Sequence, residues 1–289
     1  MVGKILSTVG GVYEVYLEDN TLIRLTPRGV LKHKRIKLLV GDNVVVNVED
    51  KTIDDILPRS NELVRPRIAN IDLGVIVMSL ESPLFSSYLV DKFLTLLNVS
   101  KIKPLLVLTK KDLIKDEEFI NKIKHQYGLL DVEVMTFSKR SLEGLDEIKE
   151  RIKGLTIAFM GQTGVGKSSL INLIDAEYNR EIGEYSVALG RGKHQTKEVI
   201  LLPYHGGFIG DTPGFSSLEL DMFKEDLAQY FPFVHEHYQE CRYGNCLHQN
   251  EPGCKVTELM KEGKMEEDNY QNYLHMLNEL IFRKDRYGK

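Results

Sequence analysis

The chain has 289 residues, of which 42% are hydrophobic and 28% are charged, and its formal net charge is −4. This length allows two or three domains, and the composition is that of a globular protein rather than a disordered one. No apolar run approaches the ~18 residues that span a bilayer, and no signal-peptide pattern opens the chain, so we expect a cytoplasmic protein. The negative charge argues against a general attraction to nucleic acid.

Short segments rich in β-branched residues fill the first part of the chain, with turn-forming residues between them. The segments are Val12 to Leu17, Thr21 to Leu25, Asn43 to Val48 and Ile53 to Ile56. Closing several short strands into a barrel removes their exposed edges. We therefore predict an all-β barrel over residues 1–67.

A run of basic residues without an acidic neighbour extends from the second of these strands towards the third. Its members are Arg24, Arg28, Lys32, Lys34, Arg35 and Lys37. We predict a loop on the barrel surface whose cations contact RNA phosphates. A solvated surface segment without a partner is the open alternative.

Strand-like and helical segments alternate over residues 68–221, which predicts a parallel sheet covered by helices. The predicted strands are Leu73 to Met78, Leu105 to Leu108, Val132 to Phe137, Leu155 to Met160, Val199 to Leu202 and Gly207 to Gly210. The predicted helices are Tyr88 to Val99, Glu117 to Tyr127, Leu145 to Ile152 and Lys167 to Asp175.

A complete phosphate-loop motif joins the fourth of these strands to the helix that follows it. Its residues are Gly161, Gln162, Thr163, Gly164, Val165, Gly166, Lys167 and Ser168. The glycines let the backbone wrap around an anion, and the helix start offers free N–H groups. Lys167 is predicted to reach the β- and γ-phosphates of a nucleotide, and the Ser168 hydroxyl to bind its Mg²⁺.

A guanine-reading motif, Thr109-Lys110-Lys111-Asp112, follows an earlier predicted strand. The Asp112 carboxylate is predicted to accept hydrogen bonds from the ring N–H and the exocyclic amine of guanine, a donor pair that adenine lacks. A plain loop, in which threonine and aspartate act as caps, is the alternative. In ordinary GTPases the phosphate loop comes first, so the reversed order indicates a circular permutation.

A third nucleotide motif, Asp211-Thr212-Pro213-Gly214, follows the last predicted strand. Asp211 is predicted to bind Mg²⁺ through water and the Gly214 N–H to contact the γ-phosphate, whereas a plain turn is the alternative.

Phe215 stands where many GTPases carry the glutamine that orients water. In the glycine-rich segment before this motif, Thr196 is predicted as a Mg²⁺ ligand and His194 as the catalytic group that positions water. A solvated loop histidine is the alternative for His194.

Residues 222–289 are predicted to form a mostly helical, polar domain that contains all three cysteines of the chain. Cys241, Cys246, His248 and Cys254 provide three thiolates and one imidazole, a complete tetrahedral set for one structural Zn²⁺. A buried set of unliganded cysteines is the alternative. His235 and His237 are predicted as helix residues without a metal.

The order and content of these motifs resemble the ribosome small-subunit-dependent GTPase A family of bacteria, over essentially the whole chain. The matching segments are Thr109 to Asp112, Gly161 to Ser169, Gly190 to His194, Asp211 to Gly214 and the zinc motif with Glu251-Pro252. The resemblance implies an oligonucleotide-binding (OB-type) barrel, a circularly permuted GTPase domain and a zinc-binding domain. Gln195 replaces a threonine common in the family, and Ser138-Lys139 stands where a Ser-Ala pair often supports guanine.

The resemblance also implies a function in late maturation of the small ribosomal subunit. The GTP-bound protein would dock on the rRNA of the subunit, hydrolyse GTP to GDP under its stimulation, and leave. Nothing in the sequence asks for a dimer, so we expect a monomer. Two other classes of function stay open on the residues alone. One is a structural RNA-binding protein whose nucleotide is only a folding ligand, and the other is a signalling GTPase with a protein partner, which the absence of lipidation motifs disfavours.

Overall fold

The computed structural model describes residues 1–33, 37–64, 66–175, 199–211 and 219–283. They form an N-terminal β-barrel, a central α/β unit built on one six-stranded sheet, and a C-terminal group of helices. The predicted fold class is confirmed in all three parts. Among the described residues, no helix is both long enough and apolar enough to cross a membrane.

The barrel has five strands in the closed order β1-β2-β3-β5-β4. They are β1 (Val2–Val9), β2 (Val12–Leu17), β3 (Leu22–Pro27), β4 (Asn43–Asn47) and β5 (Thr52–Ile56). The sequence reasoning missed β1, because polar residues interrupt it and a register shift between Ile5 and Ser7 breaks its alternation. The barrel closes where β4 pairs with β1, around a core that includes Ile5, Val15 and Ile53.

The basic segment after β3 is not the simple loop that we predicted. A short helix, α1 (Gly29–His33), begins there, and residues 34–36 lie outside the described part of the chain. Two of the basic residues make ion pairs with the barrel itself. The Arg24 Nε atom lies 3.0 Å from Glu14 Oε1, and Arg28 Nη1 lies 3.7 Å from Asp54 Oδ1.

A buried ion pair joins the barrel to the chain that leaves it. Asp42 is fully buried, and its carboxylate accepts hydrogen bonds of 2.7 and 2.9 Å from the Arg59 guanidinium, whose pKa this contact raises. Arg59 also donates to Glu62 in β6 (Glu62–Leu63), which pairs with β7 (Ile68–Ala69). This bidentate pair fixes the barrel against the start of the α/β unit.

The central sheet has the order β10-β9-β8-β11-β13-β12. Its strands are β8 (Leu73–Ser79), β9 (Lys103–Thr109), β10 (Glu133–Thr136), β11 (Thr156–Met160), β12 (Ile200–Tyr204) and β13 (Gly207–Asp211). All pairs are parallel except β12 with β13, so the predicted parallel sheet is confirmed, and β12 joins it in the antiparallel direction at one edge. His205 and Gly206 both have positive φ and form the tight hairpin turn between these two strands.

Four helices cover the two faces of this sheet: α2 (Ser87–Val99), α3 (Glu117–Gly128), α4 (Leu145–Ile152) and α5 (Lys167–Ile174). Apolar side chains on the two faces form separate buried clusters, one with α2 and α3 and the other with α4 and α5. Every residue of the central strand β8 is buried. The strand ends that carry the nucleotide motifs are therefore held by a core on both sides.

The C-terminal region contains α6 (Leu227–Tyr230), α7 (Val234–His237), α8 (Lys255–Lys261) and α9 (Glu267–Ile281). His235 and His237 lie in α7, as predicted. The core of this region includes Phe231, Tyr273 and Met276, and α9 packs against α2 of the central unit.

Candidate nucleotide and metal sites

The nucleotide motifs meet at one edge of the central sheet. Because β8, β9, β11 and β13 are parallel, their carboxyl ends share an edge, with Thr109 beside Ser79 and Asp211 beside Phe159. The guanine motif follows β9, the phosphate loop follows β11, and Asp211 ends β13. Parts that are about fifty residues apart in sequence therefore meet at one edge of the sheet, where ligands bind in open α/β sheets, and we refer to this edge as the nucleotide cleft.

The phosphate loop has the backbone that its glycines predict. Gly164 and Gly166 have φ angles of 85° and 93°, which residues with a side chain rarely adopt. At Gly161, a Cβ atom would lie only 2.4 Å from the Val77 carbonyl oxygen. Gly166 is the N-cap of α5, which begins at Lys167. The free N–H groups of this first turn and the helix dipole favour an anion.

Two side chains of the guanine motif are hydrogen-bonded directly to the phosphate loop. The Thr109 hydroxyl is buried, donates to the Val165 carbonyl and lies 3.3 Å from the Met78 carbonyl oxygen. The Lys110 ammonium donates to the Gly164 carbonyl at 2.8 Å and also to the Ser82 carbonyl. These contacts hold the base-reading and phosphate-binding segments in a fixed relation to each other.

The Asp112 carboxylate is oriented by the loop after β10. The buried Ser138 hydroxyl donates to Asp112 Oδ1 at 3.1 Å and accepts from the Ser141 N–H at 3.2 Å. Lys111, the neighbouring residue of the motif, pairs with a different carboxylate. Its ammonium lies 2.5 Å from Glu143 Oε1, and this contact raises the pKa of Lys111.

The remaining predicted residues lie around the cleft or outside the described chain. Thr163 and Ser168 are exposed at the surface of the phosphate loop, Gln162 and Lys167 are half-buried, and Lys139 Nζ lies 3.4 Å from the Ser169 hydroxyl. His194, Gln195, Thr196, Gly214 and Phe215 lie outside the described residues. The predictions for the water-positioning group, for the Gly214 contact with the γ-phosphate, and for the contacts of Thr196 and the Asp211 side chain with Mg²⁺ therefore rest on the sequence.

The four predicted metal ligands converge in the C-terminal region. One ligand atom from each of Cys241, Cys246, His248 and Cys254 lies within 4.8 Å of the others. His248 Nδ1 lies 3.5 Å from Cys241 Sγ and 3.4 Å from Cys254 Sγ, and these two sulfurs are 4.0 Å apart. A tetrahedral zinc with ordinary bond lengths requires about 3.6 Å for a nitrogen–sulfur pair and about 3.8 Å for a sulfur–sulfur pair. The donor set and its spacing fit zinc.

Neighbouring groups shape this cluster for a metal. Burial acts to raise the pKa of the Cys254 thiol, but hydrogen bonds from His248 and Thr257 outweigh it and lower this pKa, which favours the thiolate. The Tyr270 hydroxyl donates to the His248 carbonyl at 2.6 Å, and the Tyr273 hydroxyl donates to the Leu247 carbonyl at 3.1 Å. Both tyrosines lie on α9, so this helix holds the loop that carries the histidine.

Some residues that support the nucleotide and metal sites could not be identified from the sequence around them. Ser82 contributes a backbone carbonyl to Lys110, and a carbonyl contact can come from any residue type. The sequence pattern indicates no more for Tyr270 and Tyr273 than core positions of an amphipathic helix. Only the tertiary fold brings their hydroxyls to the loop that carries His248.

Comparison with known proteins gives matches over the whole length of the chain. Residues 56–221 match the family model "RsgA GTPase", and residues 2–53 match "RsgA N-terminal domain". The Small ribosomal subunit biogenesis GTPase RsgA of Bacillus subtilis is 39% identical over 99% of both chains, and the protein of that name from Halalkalibacterium halodurans is 39% identical over 96% of both.

Two solved structures share the fold. YjeQ from Thermotoga maritima superposes with a TM-score of 0.83 at 30% identity, covering 98% of this chain and 99% of that one. YloQ, described as a circularly permuted GTPase, gives a TM-score of 0.82 at 34% identity, covering 99% of this chain and 96% of that one.

Proposed function

This chain belongs to the RsgA GTPase family. From that premise we propose which of its residues bind the nucleotide, the metal ions and the RNA, and which residue acts in GTP hydrolysis. The protein is a GTP phosphohydrolase of small ribosomal subunit biogenesis, which converts GTP and water to GDP and phosphate. The observation that carries this function is the cleft at the sheet edge. There, Thr109 and Lys110 of a guanine motif hydrogen-bond to the phosphate loop, although the motif precedes that loop in the chain.

We assign the nucleotide contacts residue by residue. Asp112 reads guanine with support from Ser138, and the stem of Lys110 lies along the base and ribose. The loop from Gly161 to Ser169 wraps the phosphates, with the Lys167 ammonium on the β- and γ-phosphates. The Mg²⁺ ligands would be Ser168, Thr196 and, through water, Asp211.

The step of hydrolysis needs a group that orients the attacking water. The side chain of Phe215 has no polar atom for this purpose, so we assign the role to His194, with the Gly214 N–H on the γ-phosphate. His194→Ala is expected to lower turnover stimulated by the ribosomal subunit while leaving GTP affinity within about twofold. Equal turnover of this variant and the parent protein would remove His194 from the mechanism.

The cysteine cluster supplies structure rather than chemistry. Four protein ligands close the coordination shell, so a zinc ion bound there has no open position for a substrate. The ion would tie the loop of residues 241–254 to α8 and α9, in a region whose helices other than α9 are short. We retain 1–67, 68–221 and 222–289 as the boundaries of the barrel, GTPase and zinc-binding domains.

We propose that the partner is the rRNA of the small subunit, met by a monomer in the cytoplasm. Arg24 and Arg28 are bound to acidic residues of the barrel, yet both side chains stay more than half exposed. The basic segment that we assign to RNA extends from Arg24 to Lys37 and includes Lys34 and Arg35. Neutralising both is expected to weaken binding and to reduce the slope of log affinity against log salt by about 1.5.

The deciding experiment measures GTP hydrolysis by the purified protein with and without small ribosomal subunits. We expect strong stimulation by the subunits and its loss in Asp112→Asn, whereas Asp131→Asn, an exposed change, should keep it. If GTP binds but subunits do not stimulate its hydrolysis, the protein is instead a structural RNA binder with the nucleotide as a folding ligand.

A further inference from the structure

One cation beside the nucleotide cleft is used by none of the nucleotide contacts assigned above. Lys139 follows the buried Ser138 in the loop after β10, and it is exposed. Its ammonium donates to the Ser169 hydroxyl at 3.4 Å, and Ser169 lies in the first turn of α5. The Lys139 side chain therefore crosses from the loop that supports the guanine motif to the helix that follows the phosphate loop.

The backbone around Lys139 is held against the central sheet. Phe137, two positions earlier, donates its N–H to the Leu108 carbonyl of β9 at 2.8 Å. Ser138 is buried, and its hydroxyl accepts from the Ser141 N–H at 3.2 Å, which closes the turn around Lys139. The loop thus fixes the point from which the lysine side chain extends towards α5.

The charges near this ammonium distinguish Lys139 from Lys111. Within the part of the chain that the structure describes, Lys139 makes no ion pair, whereas the Lys111 ammonium lies 2.5 Å from Glu143. The first turn of α5 contains no acidic residue, and it begins with Lys167. The positive end of the helix dipole lies there too, so this turn repels a cation unless an anion lies between them. Phosphate is the anion that such a loop and helix start bind.

We propose that Lys139 binds the α-phosphate of the guanine nucleotide. This inference rests on the proposed function, in which Asp112 reads the base and Lys167 binds the β- and γ-phosphates. The α-phosphate is joined to the ribose, so it lies between the base and those two phosphates. Lys139 starts from the loop that orients Asp112 and reaches the helix that begins at Lys167, so its ammonium faces the same interval.

This contact should act equally on substrate and product. GTP and GDP share the α-phosphate, so Lys139 should stabilise both complexes by the same amount and should not discriminate between them. A charge-assisted hydrogen bond to a phosphate oxygen is stronger than the contact with a neutral hydroxyl, and its loss corresponds to about tenfold in affinity.

The test measures the binding of GDP and of a non-hydrolysable GTP analogue to the purified full-length protein by calorimetric titration. Lys139→Met keeps most of the length of the side chain without its charge, and it should weaken both nucleotides by about tenfold. Lys139→Arg restores a cation, so its affinities should stay within about threefold of those of the parent.

The neighbouring residue provides the matched control. Arg140 is also an exposed cation, and in the described part of the chain it makes no hydrogen bond to α5. Arg140→Met removes the same charge from the same loop, and it should leave both affinities within about twofold. Thermal unfolding of each variant without nucleotide shows whether the loop substitutions alter the fold.

Phosphorus NMR of bound GDP identifies which phosphate is contacted. Lys139→Met should move the α-phosphorus resonance and leave the β-phosphorus resonance nearly unchanged, whereas Arg140→Met should move neither. Unchanged affinities in Lys139→Met, a loss confined to the GTP analogue, or an α resonance that does not move would each overturn this inference alone. A parent protein that bound ADP as well as GDP would overturn the proposed guanine site, and this inference with it.

Discussion

The nucleotide cleft and the cysteine cluster hold their residues in place by different means. The cleft is formed by loops at the ends of strands from a sheet whose central strand is wholly buried, and hydrogen bonds already join its segments. The cysteine cluster lies in a loop beside helices of four to seven residues, apart from α9. The scaffold fixes the cleft, whereas a zinc ion held by the four ligands would complete the cluster. Loss of a zinc-binding side chain should therefore unfold the cysteine cluster. Loss of a nucleotide contact should leave the cleft folded but without its nucleotide.

The largest effect is expected from removing zinc. Cys246→Ser and His248→Gln should each lose the metal and destabilise the C-terminal region by several kcal/mol, because zinc binding in such small modules is coupled to folding. Hydrogen exchange should then show the loss of protection in α8 and α9, with zinc measured by mass spectrometry. The affinity for GTP should stay within about threefold, because the cleft has its own core.

A non-ligand histidine provides the matched control. His237 lies in α7 and contacts Glu240 at 2.8 Å on the surface, so His237→Gln should keep both zinc and protection. If Cys246→Ser retained full protection of α8 and α9, the contrast between the two sites would be wrong.

The next effect concerns a ligand contact in the cleft. Asp112→Asn is expected to weaken GTP binding by about 100-fold, because an amide cannot accept both hydrogen bonds from guanine. The same variant should bind xanthosine triphosphate better than the parent does, since xanthine has a carbonyl where guanine has an amine. Calorimetric titration with both nucleotides measures these changes.

The free energy of unfolding of Asp112→Asn should distinguish the nucleotide cleft from the cysteine cluster. Asp112 lies in a short 3₁₀ helix at the surface of the cleft, so we expect the free energy of unfolding without nucleotide to change by less than about 1 kcal/mol. A large loss of stability would mean that the cleft, like the cluster, depends on its functional residues for folding.

The same contrast explains how much was predictable from the sequence. The phosphate loop, the guanine motif and the cysteine cluster are short and contiguous, so residue types and spacing were sufficient to identify them. The sheet followed from alternation, but the antiparallel pairing of β12 did not, because the sequence pattern of a short strand carries no direction. Strand β1 was missed because Lys4, Ser7 and Thr8 interrupt its apolar pattern.

Contacts between distant segments could not be predicted at all. Asp91 and Lys92 are charged residues in a helix whose pattern otherwise indicates burial, and the asparagines that contact Asp91 lie about 180 positions further along the chain. Asn269 and Asn272 are equally ordinary residues for a polar helix. Only the packing of α9 against α2 brings these three side chains together in the absence of solvent.

The smallest effect is expected at Ser138. It tests whether the scaffold of the cleft also fixes the orientation of the Asp112 carboxylate. Ser138→Ala removes a hydroxyl that donates to Asp112 Oδ1, and it should weaken GTP binding by about three- to tenfold. Ser141→Ala is the matched control, because Ser141 contributes its backbone N–H rather than its hydroxyl to this network. A double-mutant cycle with Asp112→Ala separates the two explanations of a loss in affinity. If Ser138 acts through Asp112, its removal should have no further effect once Asp112 is gone, and an undiminished loss would mean that Ser138 contacts the nucleotide by itself.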